Sequence, residues 1–147
     1  MTYHYTECGL QNVHIHGLET VNDDDGDDVI EIPYINELHA MIAKGIVMHA
    51  KGISGAELRF LRSEMGYTQA ELAALVHKDK QTIGRWERSE IEIDSSSETV
   101  IRQLGIEKLV IQFEASIEHL AKSSVPTAEV QPIDINVSDG GYELQAA

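Results

Sequence analysis

The chain has 147 residues, 42% of them hydrophobic, and sets 25 acids against 11 Lys and Arg for a net charge of −14. That length and apolar content suffice for one compact core plus an appendage, or for two small domains sharing an interface. No run of about 18 apolar residues is present to cross a membrane, and the opening MTYHYTECG lacks the basic and apolar regions of a secretory signal, so a cytoplasmic location is expected.

Charge divides the chain more usefully than its total does. Residues 1–50 hold one cation, Lys44, and sum to −8; residues 51–104 sum to −1 and residues 105–147 to −5. An acidic chain is a poor ligand for phosphate, because cationic contacts supply most non-specific affinity for nucleic acid. The middle third escapes that argument, since it carries eight of the 11 cations.

In chain order, Asn12–His16 (NVHIH) and Asp28–Ile32 (DVIEI) alternate apolar and polar residues. Separated by a segment containing NDDDGDD, they predict a hairpin with an acidic loop, ended by Pro33. Cys8, the single cysteine, can neither close an internal disulfide nor supply a four-cysteine zinc site, and reads as a small reduced side chain in a half-buried strand. Ile35, Leu38, Ile42 and Ile46 then stand at helical spacing before Gly52, which completes a β-β-α unit over residues 1–50.

The middle opens with SGAE (Ser54–Glu57), the spacing of a capping box, and predicts a helix through Met65 with Leu58, Leu61 and Met65 inward and Gly66 as its stop. A second capping box, TQAE (Thr68–Glu71), starts a helix through about Val76 that buries Leu72, Leu75 and Val76. After His77 and Lys78, Asp79 caps a third helix whose apolar face is Ile83 and Trp86. Two short helices joined by a tight turn, the second with a polar outer face, describe a helix-turn-helix. Gln81, Gly84, Arg85 and Arg88 share that outer face at i, i+3, i+4 and i+7, so cations cluster on one ridge. Gly84 costs about 1 kcal/mol inside a helix relative to alanine, which asks for a reason such as close approach of a partner surface.

The run TQAELAALVHKDKQTIGRWERSE resembles the helix-turn-helix signature of the Cro/CI-like repressor family, also called the XRE family, over about residues 53–104. The resemblance implies a five-helix DNA-binding domain whose third helix enters the major groove of double-stranded DNA. By position, Gln69 would contact backbone or a nearby base, Lys80, Gln81, Thr82 and Arg85 would face base edges and flanking phosphates, and Arg88 would hold a phosphate. Glutamine pairs bidentately with adenine and arginine with guanine in that groove. The resemblance also implies that Glu87 pairs with Arg62 on the first helix and is structural. Where the family's turn has a glycine followed by an apolar residue, this chain has His77 and Lys78; either the turn is looser or Lys78 adds a phosphate contact.

SSSE (Ser95–Glu98) predicts a capped fourth helix to about Leu104. Ile106, Leu109, Val110, Phe113, Ile117, Leu120 and Ala121 then form a stripe of nearly heptad period, which either completes the core or packs against its copy in a homodimer; the dimer is the expectation, since operator readers gain from two half-sites. SSVPTAEVQP is a linker, and IDINV, SDGG and YELQ read either as strand, turn, strand or as an irregular tail. The fold class is thus α+β, mainly α: an acidic β-β-α unit over 1–50, a five-helix helix-turn-helix domain over 53–122 and a tail over 123–147.

The N-terminal unit joined to such a domain resembles in architecture the antitoxin regulators of the MqsA/YgiT type, which implies a toxin-binding N-terminal part beside an operator-binding domain. Zinc-binding members use paired CxxC motifs, so with Cys8 alone no metal is carried over. An acidic unit suits a basic partner such as an RNA-cleaving toxin, although NDDDGDD also reads as a solvated loop. His14 and His16 lie on the same face of a strand and would need a third ligand such as His4 to bind a metal; ordinary strand histidines are the expectation. No phosphate loop, nucleophile elbow or HExxH is present, so neither catalysis nor a cofactor is expected. Three readings remain: a repressor acting alone, a toxin-neutralising repressor of its own operon, and an interaction module that no longer binds DNA.

Overall fold

The computed structural model describes residues 1–50, 52–109, 117–125, 130–138 and 141–145. In order these form β1 (Thr2–His4), β2 (Val13–His16), β3 (Thr20–Asn22), β4 (Asp28–Ile30), α1 (Ile35–Met48), α2 (Gly55–Met65), α3 (Gln69–Leu75), α4 (Lys80–Glu87), α5 (Ser95–Lys108), α6 (Ile117–Ser123), β5 (Ile133–Ser138) and β6 (Gly141–Leu144). The fold is α+β and mainly α.

The strands do not pair as their spacing predicts. The segment 12–16 forms no hairpin with 28–32: β2 lies antiparallel to β1, with Tyr3 opposite Ile15, and parallel to β5, with Val13 opposite Ile133 and Ile15 opposite Ile135. Asp28–Ile30 pairs with Thr20–Asn22 instead. The acidic turn decides this, because Asp23 Oδ1 accepts from the amides of Asp25 (3.0 Å) and Asp27 (2.8 Å), which closes NDDDGDD on the residues just before it. Val13 and Ile15 then find their apolar partners more than a hundred residues away. The tail does supply two strands, β5 and β6, paired antiparallel, and the sheet runs β1-β2-β5-β6, so early and late segments of the chain share it.

Helix α1 covers one face of that sheet and packs its other flank on α2 and α5. Its buried residues are Leu38, Ile42, Ala43, Ile46 and Val47, while Ile35, at its first turn, is 44% exposed. Both capping boxes form: Ser54 Oγ accepts from Glu57 N and Thr68 Oγ1 from Glu71 N, and Gly66 ends α2 in the left-handed region. In α3 the inward residues are Leu72 and Ala73, followed by Val76; Leu75, expected inside, is 44% exposed because the helix is only seven residues long and ends there. The cap of α5 is Asp94, one residue before the predicted Ser95, and the helix continues four residues past Leu104. Of the apolar stripe, Ile106 and Leu109 pack on the core and Leu120 is buried, whereas Val110, Phe113 and the side chain of Ile117 lie outside the described residues.

Glu98, freed from capping, belongs to a buried polar junction. Arg102, fully buried, donates from Nη1 to the carbonyls of Val47 (3.1 Å) and His49 (2.7 Å) at the end of α1, and from Nη2 to Glu98 Oε2 (3.3 Å) and to the Ser123 carbonyl (3.2 Å) at the end of α6. The other Glu98 oxygen accepts from Ile53 N at 2.7 Å. Beside it Glu57 takes Ser54 N at 3.0 Å, approaches His49 Nε2 at 3.5 Å and takes Asn12 Nδ2 at 3.4 Å, and Asn12 in turn bonds the Gln131 carbonyl at 2.8 Å. Burial alone would raise the Glu57 carboxyl, but the His49 and Ser54 contacts outweigh it and hold the group below its usual 4.5. A carboxyl depressed in the native state adds stability above its unfolded value and loses it as pH falls through the native one. Glu57→Gln should therefore lower the melting temperature at neutral pH, and the gap to wild type should narrow steadily as melting is followed below 4.5; a gap independent of pH would deny the ionised junction.

Candidate nucleic-acid interface

Asp79 starts α4 by accepting from Thr82 N and Thr82 Oγ1, both at 2.7 Å, and these bonds lower its carboxyl. Thr82 thus spends its hydroxyl on the cap. Ile83 and Trp86 are buried, while Lys80, Gln81, Arg85 and Arg88 are exposed, as the wheel predicts. Gln69, Lys80, Gln81, Gly84, Arg85 and Arg88 together wall one shallow concavity of about 320 Å³. A Cβ on Gly84 would sit 3.0 Å from Arg88 Nη1, the movable end of a side chain, so the glycine keeps this concavity open rather than relieving a backbone clash.

The turn before α4 is not loosened by its missing glycine. His77 adopts the left-handed conformation itself (φ 58°), and the Lys78 amide returns to the Ala73 carbonyl at 2.9 Å. Two of the cations are tethered: Lys78 Nζ lies 3.6 Å from Asp94, and Arg88 donates to Glu90 at 3.0 and 3.3 Å. Glu90 and Asp94 were not legible as partners, because an exposed i, i+2 pair and a contact across a turn have no sequence signature. Among the described residues, Lys80 and Arg85 have no carboxylate within 4 Å.

Glu87 fixes α4 from behind. Its carboxylate accepts from Arg62 Nε (2.5 Å), Arg62 Nη2 (3.0 Å) and Gln69 Nε2 (3.1 Å), while Arg62 Nη1 donates to the Tyr67 carbonyl at 3.0 Å. One carboxylate therefore joins α2, the start of α3 and α4, and it orients the amide of Gln69. Sequence reading missed Gly55. A Cβ there would lie 2.5 Å from the Trp86 carbonyl and 2.6 Å from that of Glu87, so only glycine lets α2 begin against the end of α4.

The histidines lie elsewhere. His4 and His14 stack with ring centroids 4.8 Å apart, and His16 bonds Thr2 and Asp134, each at 2.9 Å. Among the described residues no group of three His, Cys, Asp or Glu is placed to hold a metal ion.

Helix α4 packs against α2 and α3 with its cationic side outward, and residues 58–102 match the helix-turn-helix family. The segment is a helix-turn-helix of the Cro/CI-like (XRE) kind, and the protein is accordingly a DNA-binding transcriptional regulator. No curated protein and no solved structure matches the chain. Among the described residues no helix is long and apolar enough to cross a membrane.

The knot around Glu87 yields a test. Arg62→Ala and Glu87→Ala should each cost about 1–3 kcal/mol of stability, and the double variant should cost clearly less than their sum in denaturant titrations. Strict additivity would dissolve the pair.

Proposed function

We propose that the protein is a repressor that binds an inverted-repeat operator as a homodimer, with α4 of each protomer in the major groove, and that its acidic N-terminal part holds a cationic protein. The observation that carries the DNA reading is the convergence of Gln69, Lys80, Gln81, Arg85 and Arg88 on one face of a helix anchored at three points by Glu87. Gln81 and Arg85 have the chemistry to read adenine and guanine edges, and Lys80, Lys78 and Arg88 to hold phosphates, with Arg88 exchanging Glu90 for the backbone. Thr82, with its hydroxyl on Asp79, offers its methyl.

The partner reading rests on the β3–β4 arm. Residues 19–29 are all exposed, and residues 19–37 carry eight acids and no cation. A two-stranded hairpin is marginal by itself in water, and such a field repels phosphate while speeding encounter with a basic protein. A toxin encoded beside this chain, silenced by the arm while α4 represses their common operon, fits this division. Without a basic neighbour the stand-alone repressor remains.

Arg85→Ala should cost about 1–3 kcal/mol of binding and relax preference at one base position, whereas Arg88→Ala should weaken all sequences alike and make the salt slope about one unit shallower. Titrations on cognate and scrambled duplexes at several salt concentrations read both; an Arg85→Ala protein that binds its cognate site like wild type would displace α4 from the groove. Replacing Asp24, Asp25, Asp27 and Asp28 by Asn should leave cognate binding intact or strengthen it at low salt, and abolish co-purification of the basic protein from the adjacent reading frame. Unimpaired co-purification would move the partner site off the arm.

A further inference from the structure

Beside its buried face, α1 carries a second stripe. Glu37, Met41, Lys44 and Met48 stand at i, i+4, i+7 and i+11, and so follow one line along the helix. Met41, Lys44 and Met48 are half-buried, and they wall a cavity of about 580 Å³ whose far side includes Tyr142 and Leu144 of β6. Glu37 belongs to the same side: burial raises the Tyr142 hydroxyl, and the Glu37 charge adds to that rise. Among the described residues strand β6 pairs only with β5, so its outer edge presents backbone donors and acceptors next to the stripe.

The stripe is complementary to itself. Two copies of α1 laid antiparallel with Met41 at the crossing set Lys44 of one against Glu37 of the other, and the reverse contact follows from symmetry, as an isologous interface requires. Lys44 is the single cation of residues 1–50, and among the described residues neither it nor Glu37 has an ion-pair partner within 4 Å. Other candidate surfaces are less suited to a second copy. The acids of the arm, with no cation among them, repel their own image, and Ile106, Leu109 and Leu120 of the long apolar stripe are already engaged within the chain.

We propose that a second copy of this chain docks on this face, α1 against α1 across a two-fold axis, with Met41 and Met48 in the contact and two Lys44–Glu37 pairs setting its register. The interface rests on the operator reading only in supplying its two-fold symmetry, and is tested without DNA. In sedimentation equilibrium the full chain should weigh twice its 16.3 kDa monomer. Lys44→Glu and Glu37→Lys should each sediment as monomers with unchanged far-UV circular dichroism, and the double variant Lys44→Glu/Glu37→Lys should return to the dimer. A monomeric wild type, single variants that stay dimeric, or a folded double variant that stays monomeric would each overturn the proposal. Binding to a single half-site duplex is measured on the same monomeric variants: retained binding leaves the DNA reading standing whatever the masses show, and its loss in a folded variant counts against that reading and not against the interface.

Discussion

A guanidinium taken wholly out of water holds this structure together. Removing an ion from solvent costs several kcal/mol unless its hydrogen bonds are replaced, and Arg102 recovers them from acceptors on three separate segments, the end of α1, the end of α6 and Glu98 on its own helix. Burial pushes the Glu98 carboxyl up and the Arg102 guanidinium down, and the charge of each partner opposes that push on the other. The carbonyls of Val47 and His49 belong to the last turn of α1, where helix acceptors lack partners and the helix dipole favours a cation. Arg102 is thus the C-terminal cap of α1, supplied from within the helix-turn-helix. Removal of α1 would leave that charge without two of its acceptors.

The acidic composition and the cationic outer face of α4 are reconciled by distribution. In residues 51–104 acids nearly cancel cations, and several of those acids are occupied: Glu57, Glu87 and Glu98 are turned inward, Asp79 and Asp94 cap helices, and Glu71 closes a capping box. What remains on the outer face of α4 is cationic and amide. Glu90 and Asp94 temper it by holding Arg88 and Lys78, and in doing so they pre-position both side chains beside the ridge.

Local grammar made the helix-turn-helix legible. Two capping boxes, the Asp79 cap, the Gly66 stop and the 3.6-residue spacing of Ile83 and Trp86 each act within four residues, so the sequence states them directly. The strand partners were not legible for the converse reason: β2 lies beside β5, and nothing near Val13 or Ile15 indicates that Ile133 and Ile135 will cover their edge. Nearest-neighbour logic offered Asp28–Ile32, which the Asp23 turn had already claimed. Glu98 misled in a similar way, since its spacing from Ser95 mimics a capping box while the side chain turns inward to Ile53 and Arg102. The Arg62–Glu87 pair came from resemblance, not spacing, because two charges 25 residues apart carry no mutual signal until the helices are packed.

The central claim is that duplex DNA is met by α4 and the start of α3, and by nothing acidic. Amide shift mapping tests it most directly: isotope-labelled protein is titrated with the duplex recovered from a selection on random sequences. The account predicts shifts at Gln69 and across Lys80–Arg88 with the β3–β4 arm silent. Shifts centred on the arm or on the β1-β2-β5-β6 sheet, with α4 unmoved, would contradict it.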